Sequence, residues 1–368
     1  MKQTYTYQVV EGTAWEVGKK EARILKERKP EAATFYSGPF EGKTERLREG
    51  EKLLKMNERW CPGLNEEIGG FAEELGIRPE EVVYYTGSIP KTGNCSQFAV
   101  LPDKSATGTT LCARSYEWSL EDDFTLSTVR VRGRAAHTGF TVFGFGRLDG
   151  LNDRGLWVSM TMGNPTPGEP LPSNEGFRFW SLVRTLLDRA GSVDEAVEIA
   201  QPFPMAFYPS ILVADKTGAA LIEMSPERVA VRRESSGFIH STNHYTLDEM
   251  KPINKVQFTH SLKRQAFIGE ELERGKTDGA DIERILGGTF PRGLACHFYR
   301  EYFGTLWSSW ADLSAGALNV CFGATDAAGN AFRTFRPDDP EGVSAFEAEL
   351  PDETAGPGMW ERHPNDRT

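Results

Sequence analysis

Apolar residues recur at three- and four-residue intervals through most of the first ninety positions. TAWEVGKKEARILKERK, KTERLREGEKLLKMNERW and LNEEIGGFAEELG each carry such a stripe among charges, which predicts amphipathic helices. IRPEEVVYYTGS adds one more helix or helix end, with Pro79 near its first turn. The first ninety residues therefore read as helical. From Cys95 the texture changes. SQFAVLP, TTLCARSYEW, FTLSTVRVR, TGFTVFGFG and LWVSMTM are short β-rich runs parted by Gly, Asp and Asn.

Two further helices are predicted in EGFRFWSLVRTLLDRA and SVDEAVEIAQ, the second capped by Ser192. SILVADKTGAALIEM reads as a hairpin turning at KTG, RVAVRR as its continuation, and FIHSTNHY as a strand running into a polar tip. Helices return in THSLKRQAFIGEELERG and DIERILGG. A last strand pair spans GTLWSSWADLSAGALNVCFGA, and the Pro-, Asp- and Glu-rich tail reads as loosely ordered. Helices and sheets in alternating blocks predict an α+β fold of stacked layers. GFG at 144–146 is no dinucleotide fingerprint, since no G-x-G-x-x-G opens a helix.

Composition narrows the functional classes. At 39% hydrophobic and 26% charged residues, the 368-residue chain has the makings of a sizeable core. A net charge of −11 with scattered Lys and Arg argues against nucleic acid and anionic membrane surfaces as partners. No secretory signal and no membrane-length apolar run is readable. Five cysteines (61, 95, 112, 296 and 321) stand far apart with no C-x-x-C pair and no zinc spacing. That pattern fits reduced thiols and a cytoplasmic protein.

The chemistry centres on GNCSQFAV. A free cysteine in an apolar strand is ordinarily a small core residue. Here Gly93 and Asn94 precede it, and both tolerate unusual backbone angles, so the bond before Cys95 can sit in a strained or exposed turn. If that bond were cut, Cys95 would gain an α-amine with a pKa of about 7.7–8.0, a built-in general base beside its own thiol. Farther along lies ARSYEW. In a regular strand Arg114 and Tyr116 share one face while Ser115 and Glu117 share the other. Arg114 and Glu117 then converge on one site only at a bulge; otherwise they make a surface ion pair of little consequence.

GNCSQFAV followed by LCARSYEW resembles the choloylglycine hydrolase and isopenicillin N acyltransferase group of N-terminal-nucleophile hydrolases. Other landmarks of that group recur in order. They are LNDRGL at 151–156, ILVADKTGAALIE, HSTNHY at 240–245, Ser261-Leu262-Lys263-Arg264 and Thr305-Leu306-Trp307-Ser308. The likeness runs from about residue 85 to 335, and the helical start resembles the propiece of the acyltransferase branch.

The resemblance implies a four-layer αββα sandwich with a helical N-terminal propiece. It divides the chain into segment 1–94, a catalytic core 95–340 and a tail 341–368. It makes Cys95 the nucleophile, Arg114 the cation beside the thiolate, Glu117 the group that binds the freed amine, and Asn243 an oxyanion donor; Arg264 matches the family's helix-start Arg. Self-cleavage would fall between Asn94 and Cys95, leaving two associated fragments. Two positions depart from the pattern, with Glu117 where Asp is usual and Ser115 where Asn is frequent. The second oxyanion donor falls at Met162 or Gly163, where a backbone N–H could serve, or at Asn164 after a one-residue slip.

The implied activity is hydrolysis or transfer of an acyl group from a small-molecule linear amide through a Cys95 thioester, with no cofactor or metal. Two alternatives stand beside it: an acyltransferase that favours an amine acceptor over water, and an uncleaved, catalytically silent binding protein of the same fold. Homo-oligomerisation is left open. The remaining candidates read as structural. His240 and His244 lie in a strand-to-loop setting that spoils a metal pair, and His297 beside Cys296 resembles no papain-type dyad. Asp215 and Glu223 read as turn and strand-pairing residues, and Trp118, Trp307 and Trp310 as core or pocket wall.

Overall fold

The computed structural model describes residues 1–38, 43–88, 94–120, 124–142, 144–163, 176–325, 329–356 and 358–364. Strand β1 (Lys2–Gly12) comes first, followed by helices α1 (Ala14–Arg28), α2 (Ala32–Ser37), α3 (Lys43–Trp60), α4 (Leu64–Leu75) and α5 (Pro79–Ser88). Strands β2 (Asn94–Val100), β3 (Leu111–Trp118), β4 (Thr125–Val131), β5 (His137–Val142), β6 (Gly146–Arg147), β7 (Asp149–Asn152) and β8 (Trp157–Met162) come next. Helices α6 (Phe179–Arg189) and α7 (Val193–Ala200) lead to β9 (Pro209–Ala214), β10 (Ala219–Met224), β11 (Val229–Glu234) and β12 (Phe238–Ser241). Then follow β13 (Val256–Phe258), α8 (Thr259–Glu273), α9 (Gly279–Gly287), β14 (His297–Phe298), β15 (Phe303–Asp312) and β16 (Leu318–Phe322). Strands β17 (Arg333–Phe335), β18 (Gly342–Glu349) and β19 (Arg362–Pro364) complete the chain.

The fold is α+β. Among the described residues, one sheet of ten strands has the order β11-β10-β9-β8-β7-β5-β4-β1-β18, with β6 beside β5. A second, of seven strands, has the order β12-β2-β3-β15-β16-β17, with β14 beside β15. Alternation along β2 and β3 divides their side chains between two environments. Gln97 faces the larger sheet, donating to the Ser210 carbonyl at 3.0 Å and accepting from Ser159 Oγ at 2.7 Å. Phe98, Val100, Leu111 and Ala113 face the other way, onto Ile268 and Leu272 of α8 and Ile282 and Ile285 of α9.

Two expectations fail at the chain ends. The N-terminal segment is not all helix, because β1 runs parallel to β4 and antiparallel to β18 inside the ten-stranded sheet. Its Tyr5, Tyr7, Val9 and Val10 are buried. The tail is not loose, because β18 pairs with β1 from Lys2↔Glu349 to Val9↔Gly342. The order in β18 comes from this long-range partner rather than from a local pattern.

Helix α1 starts at a capping box, with Thr13 Oγ1 accepting from the Glu16 N–H at 3.2 Å and Glu16 Oε2 from the Thr13 N–H at 2.8 Å. It packs tightly on α4, since a Cβ on Gly18 would lie 1.9 Å from the Glu67 carbonyl oxygen. That approach buries Glu67, whose two oxygens take Nη1 and Nη2 of Arg184 on α6 at 2.9 and 2.7 Å. The Arg184 Nε lies 3.0 Å from both oxygens of Asp188. A buried, bidentate ion pair therefore joins the N-terminal helices to the rest of the protein.

Removing Glu67 takes the carboxylate from Nη1 and Nη2 of Arg184 and leaves its buried charge to Asp188 alone, so Glu67→Ala should cost about 3 kcal/mol, the lower end for breaking a buried pair. Lys19→Ala, which breaks the exposed pair with Glu73 at 2.8 Å, should cost under about 1 kcal/mol. Urea unfolding of both variants measures the contrast, and equal losses would contradict the role given to Glu67.

Candidate active site

Register sorts this site onto two faces. Asn94 lies opposite Glu117, Cys95 opposite Tyr116, Ser96 opposite Ser115 and Gln97 opposite Arg114. Directly opposed residues of an antiparallel pair share a face. Cys95, Gln97, Arg114 and Tyr116 thus look toward the ten-stranded sheet, and Ser96 and Glu117 toward α8.

On the first face the Arg114 guanidinium places Nη2 at 3.2 Å from Cys95 Sγ, while Nη1 donates to the Leu148 carbonyl and lies 3.3 Å from Asp149 Oδ2. The guanidinium also stands 5.1 Å from the centroid of the Tyr116 ring. Everything here is sealed from solvent. Burial pushes the Cys95 thiol up from 9.0 to about 11, against the opposing pull of Arg114. At neutral pH the sulfur therefore carries its proton.

The second face is organised by Arg264, which is fully buried on α8. Its Nη1 donates to the Cys95 carbonyl at 2.6 Å and to Ser96 Oγ at 2.8 Å. Its Nη2 donates to Asn243 Oδ1 at 2.7 Å and meets His260 Nδ1 at 3.1 Å. Glu117 supplies the counter-charge, 3.5 Å from Nη1. Asn243 Oδ1 also accepts the Cys95 N–H at 3.0 Å. Two donors converging on Oδ1 fix the orientation of that amide and leave Nδ2 to the Met162 carbonyl at 3.3 Å. Burial and the Arg264 charge hold His260 well below 6.5, so its Nδ1 is a neutral acceptor. Burial likewise pushes the Glu117 carboxyl up from 4.5 to about 7, with Arg264 drawing it down.

The surroundings hold these groups in place. Ser261 stands one helical turn before Arg264, and its Oγ accepts the Asn243 N–H at 2.9 Å and contacts His244 Nδ1 at 2.8 Å. Glu223 on β10 accepts the N–H groups of Thr246 and Leu247 at 2.7 and 3.0 Å, anchoring the loop that follows Asn243. Glu223 thus pairs within the sheet as expected, opposite Ala230 and Ser210, and its carboxylate is in addition a loop anchor. Asp215 does serve a turn, with Oδ1 accepting from the N–H groups of Thr217 and Gly218. Asn152, in the LNDRGL turn, accepts from the Leu156 N–H at 2.9 Å and donates to the Ala190 carbonyl at 2.7 Å.

The structure brings Asn94, Cys95, Arg114, Glu117, Asn243 and Arg264 together, with several corrections. No bulge joins Arg114 to Glu117, because the β2–β3 register runs unbroken through both. The irregularity lies one strand over, between Thr305 and Trp307 of β15. It turns Thr305 toward Glu117, with Oγ1 at 3.4 Å from Oε1, and Trp307 toward Asp149, with its indole N–H at 3.0 Å from Oδ2. Asn94 and Cys95 lie within a paired strand and Cys95 is buried, so the bond between them occupies no exposed turn. Gly93 falls outside the described residues.

Partners differ as well. The Cys95 N–H goes to Asn243 rather than to Glu117, and the Gly163 N–H donates to the Tyr208 carbonyl at 2.6 Å. Asn164 falls outside the described residues. Asp149 is the participant that sequence reading misses. Its signal is a lone acid in FGRLDGLN, set between Leu148 and the LNDRGL turn.

A family model described as acyl-coenzyme A:6-aminopenicillanic acid acyl-transferase matches residues 108–327. No curated protein matches the chain. Among solved structures, a mutant of the conjugated bile acid hydrolase from Clostridium perfringens aligns at 11% identity and a TM-score of 0.43, covering 72% of this chain and 99% of that one. Penicillin V acylase from Agrobacterium tumefaciens aligns at 14% identity and a TM-score of 0.43, covering 68% of this chain and 90% of that one. No helix among the described residues is long and apolar enough to cross a membrane.

Glu117 gives the site a pH signature. Its carboxyl is raised in the folded state from 4.5 to about 7, so its stabilising contribution is complete below the lower value and is lost as pH rises through the upper one. Relative to Glu117→Gln, the wild type should lose up to about 1.4 kcal/mol per pH unit across that window. Urea midpoints of both proteins at about pH 5 and about pH 8 read the difference directly. Parallel pH dependences in the two would contradict it.

Proposed function

Because the chain belongs to the acyl-coenzyme A:6-aminopenicillanic acid acyl-transferase family, we propose that it is a self-activating cysteine amidase or acyltransferase with Cys95 as its nucleophile. The first substrate is the chain itself. Sγ adds to the Asn94 carbonyl carbon, the C–S bond forms as the C–N bond breaks, and the thiol proton passes to the Cys95 nitrogen. Water then adds to the thioester, releasing the Asn94 carboxylate and a proton and restoring the thiol. The mature fragments, Met1–Asn94 and Cys95–Thr368, stay associated. In each later cycle the sulfur attacks a linear amide of a small molecule and the new α-amine passes the proton to the departing amine. Water or a second amine takes the acyl group from sulfur.

One observation carries this reading: all three reactive atoms of Cys95 are individually held. The sulfur has Arg114 Nη2 at 3.2 Å, the N–H has Asn243 Oδ1 at 3.0 Å, and the carbonyl has Arg264 Nη1 at 2.6 Å. A cysteine that only filled core space would need partners for its N–H and carbonyl, but not two of them drawn from a side-chain amide and a buried cation, nor a guanidinium at its sulfur. An amine formed at that nitrogen would inherit Asn243 as acceptor, with the Arg264 cation nearby disfavouring the ammonium form and so preserving a base. The placement of α8 and α9 on one face of the smaller sheet and the larger sheet on the other supports the four-layer αββα arrangement.

The test is intact mass of wild type beside Cys95→Ala. Wild type should give two fragments, the second beginning at Cys95, and the variant a single full-length chain. A wild type that stays whole on storage favours the silent binding protein instead, and cleavage untouched by the substitution removes Cys95 from the reaction. Products formed with and without an added amine separate transfer from hydrolysis.

A further inference from the structure

We propose that Asp149 is a positioning residue for the thiol, holding the Arg114 guanidinium between its own carboxylate and the Cys95 sulfur so that the sulfur receives only part of that cation's field. The inference deepens the reading of Cys95 as the reacting group and rests on it.

Both oxygens of this carboxylate are engaged. Oδ1 accepts the Phe140 N–H at 3.1 Å, and Oδ2 accepts the Trp307 indole N–H at 3.0 Å while lying 3.3 Å from Arg114 Nη1. The indole is fixed in turn, its ring stacked at 4.2 Å on Tyr116 and at 3.9 Å on Phe140. Arg114 is thereby shared, Nη1 with the Leu148 carbonyl and Asp149, Nη2 with the sulfur. The titratable and charged groups around the thiol are Arg114, Tyr116 and Glu117 from β3, Asp149 from β7 and Arg264 from α8. Burial keeps the Tyr116 phenol neutral, and the Arg264 donors are spent on the opposite face.

Two substitutions then act in opposite directions. Asp149→Asn removes the competing anion, leaves Arg114 buried without a carboxylate, and makes a thiolate its natural counter-ion. Trp307→Phe keeps the ring packing but withdraws the indole donor, so the Asp149 charge falls more fully on Arg114 and less of the cation reaches sulfur. A residue with a purely architectural role would move the thiol in neither variant, or in the same direction in both.

The experiment titrates the thiolate ultraviolet band of the full chain, with Cys95→Ser in the same background subtracted, and follows intact mass in parallel. Asp149→Asn should lower the midpoint by about one unit, a tenfold rise in thiolate at a fixed lower pH. Asp149→Glu should restore most of the shift, and Trp307→Phe should move thiolate onset to higher pH. An unchanged or raised midpoint in Asp149→Asn overturns the proposal. If that variant does not fold, an unchanged or lowered onset in Trp307→Phe overturns it. Shifts of the expected signs in a chain that never cleaves would count against the self-activating enzyme while leaving the Asp149 assignment standing.

Discussion

A guanidinium sealed from water must find acceptors for its donors and a counter-charge, or it cannot stay buried. Arg264 meets that requirement by gathering groups from separate elements: the Cys95 carbonyl and Ser96 hydroxyl of β2, the Asn243 amide after β12, Glu117 of β3 and His260 of its own helix. Two of these acceptors are held in turn by other groups. Asn243 is tied to Ser261, and Glu117 to Thr305 through the β15 irregularity. The geometry around Cys95 follows from satisfying one cation.

The strand pair β2–β3 then acts as a partition. Each side carries its own buried arginine–carboxylate pair, Arg114 with Asp149 and Arg264 with Glu117. The sulfur lies on one side, and the backbone nitrogen and carbonyl oxygen are held at the other. Burial keeps the thiol protonated in the intact chain despite its arginine. Under the proposed chemistry, cutting the Asn94–Cys95 bond would turn a hydrogen-bonded amide into an amine base on the residue that already carries the sulfur. The resting thiol is then a latent group, and the change that activates it is covalent.

Much of this was legible in the sequence because the signals are local. Helices α1, α3 and α4 lie where the apolar stripes predict, Ser192 accepts from the Glu195 N–H at 3.2 Å, and the hairpin turns after Asp215. The candidate residues followed from ordered motifs, whose members do meet. What escaped depends on distant partners. KQTYTYQVVEG has the β-branched and aromatic residues of a strand, yet it precedes a long helical stretch that dominates its reading. GVSAFEAE becomes a strand only because β1 is there to receive it. Arg114 and Glu117 need no bulge to take part in one site; two faces of one strand pair serve, as plain alternation places them, but alternation says nothing of what each face meets.

The place of β1 bears on what self-cleavage could accomplish. A removable propiece would have to contact the core along a surface that can separate. Segment 1–94 instead contributes a strand flanked on both sides by strands that follow residue 94 in the chain, and a buried Glu67 that completes the charge of Arg184. Withdrawing it would break two strand pairings, expose buried Tyr5, Tyr7 and Val9, and leave the Arg184 guanidinium with Asp188 alone. Those costs are of the size that unfolds domains rather than opens them. If the Asn94–Cys95 bond is cut, the consequence must therefore lie at the new termini and not in release of the segment. Cleavage would act by creating an amine at Cys95, with the N-terminal fragment retained as part of the sheet that supports it.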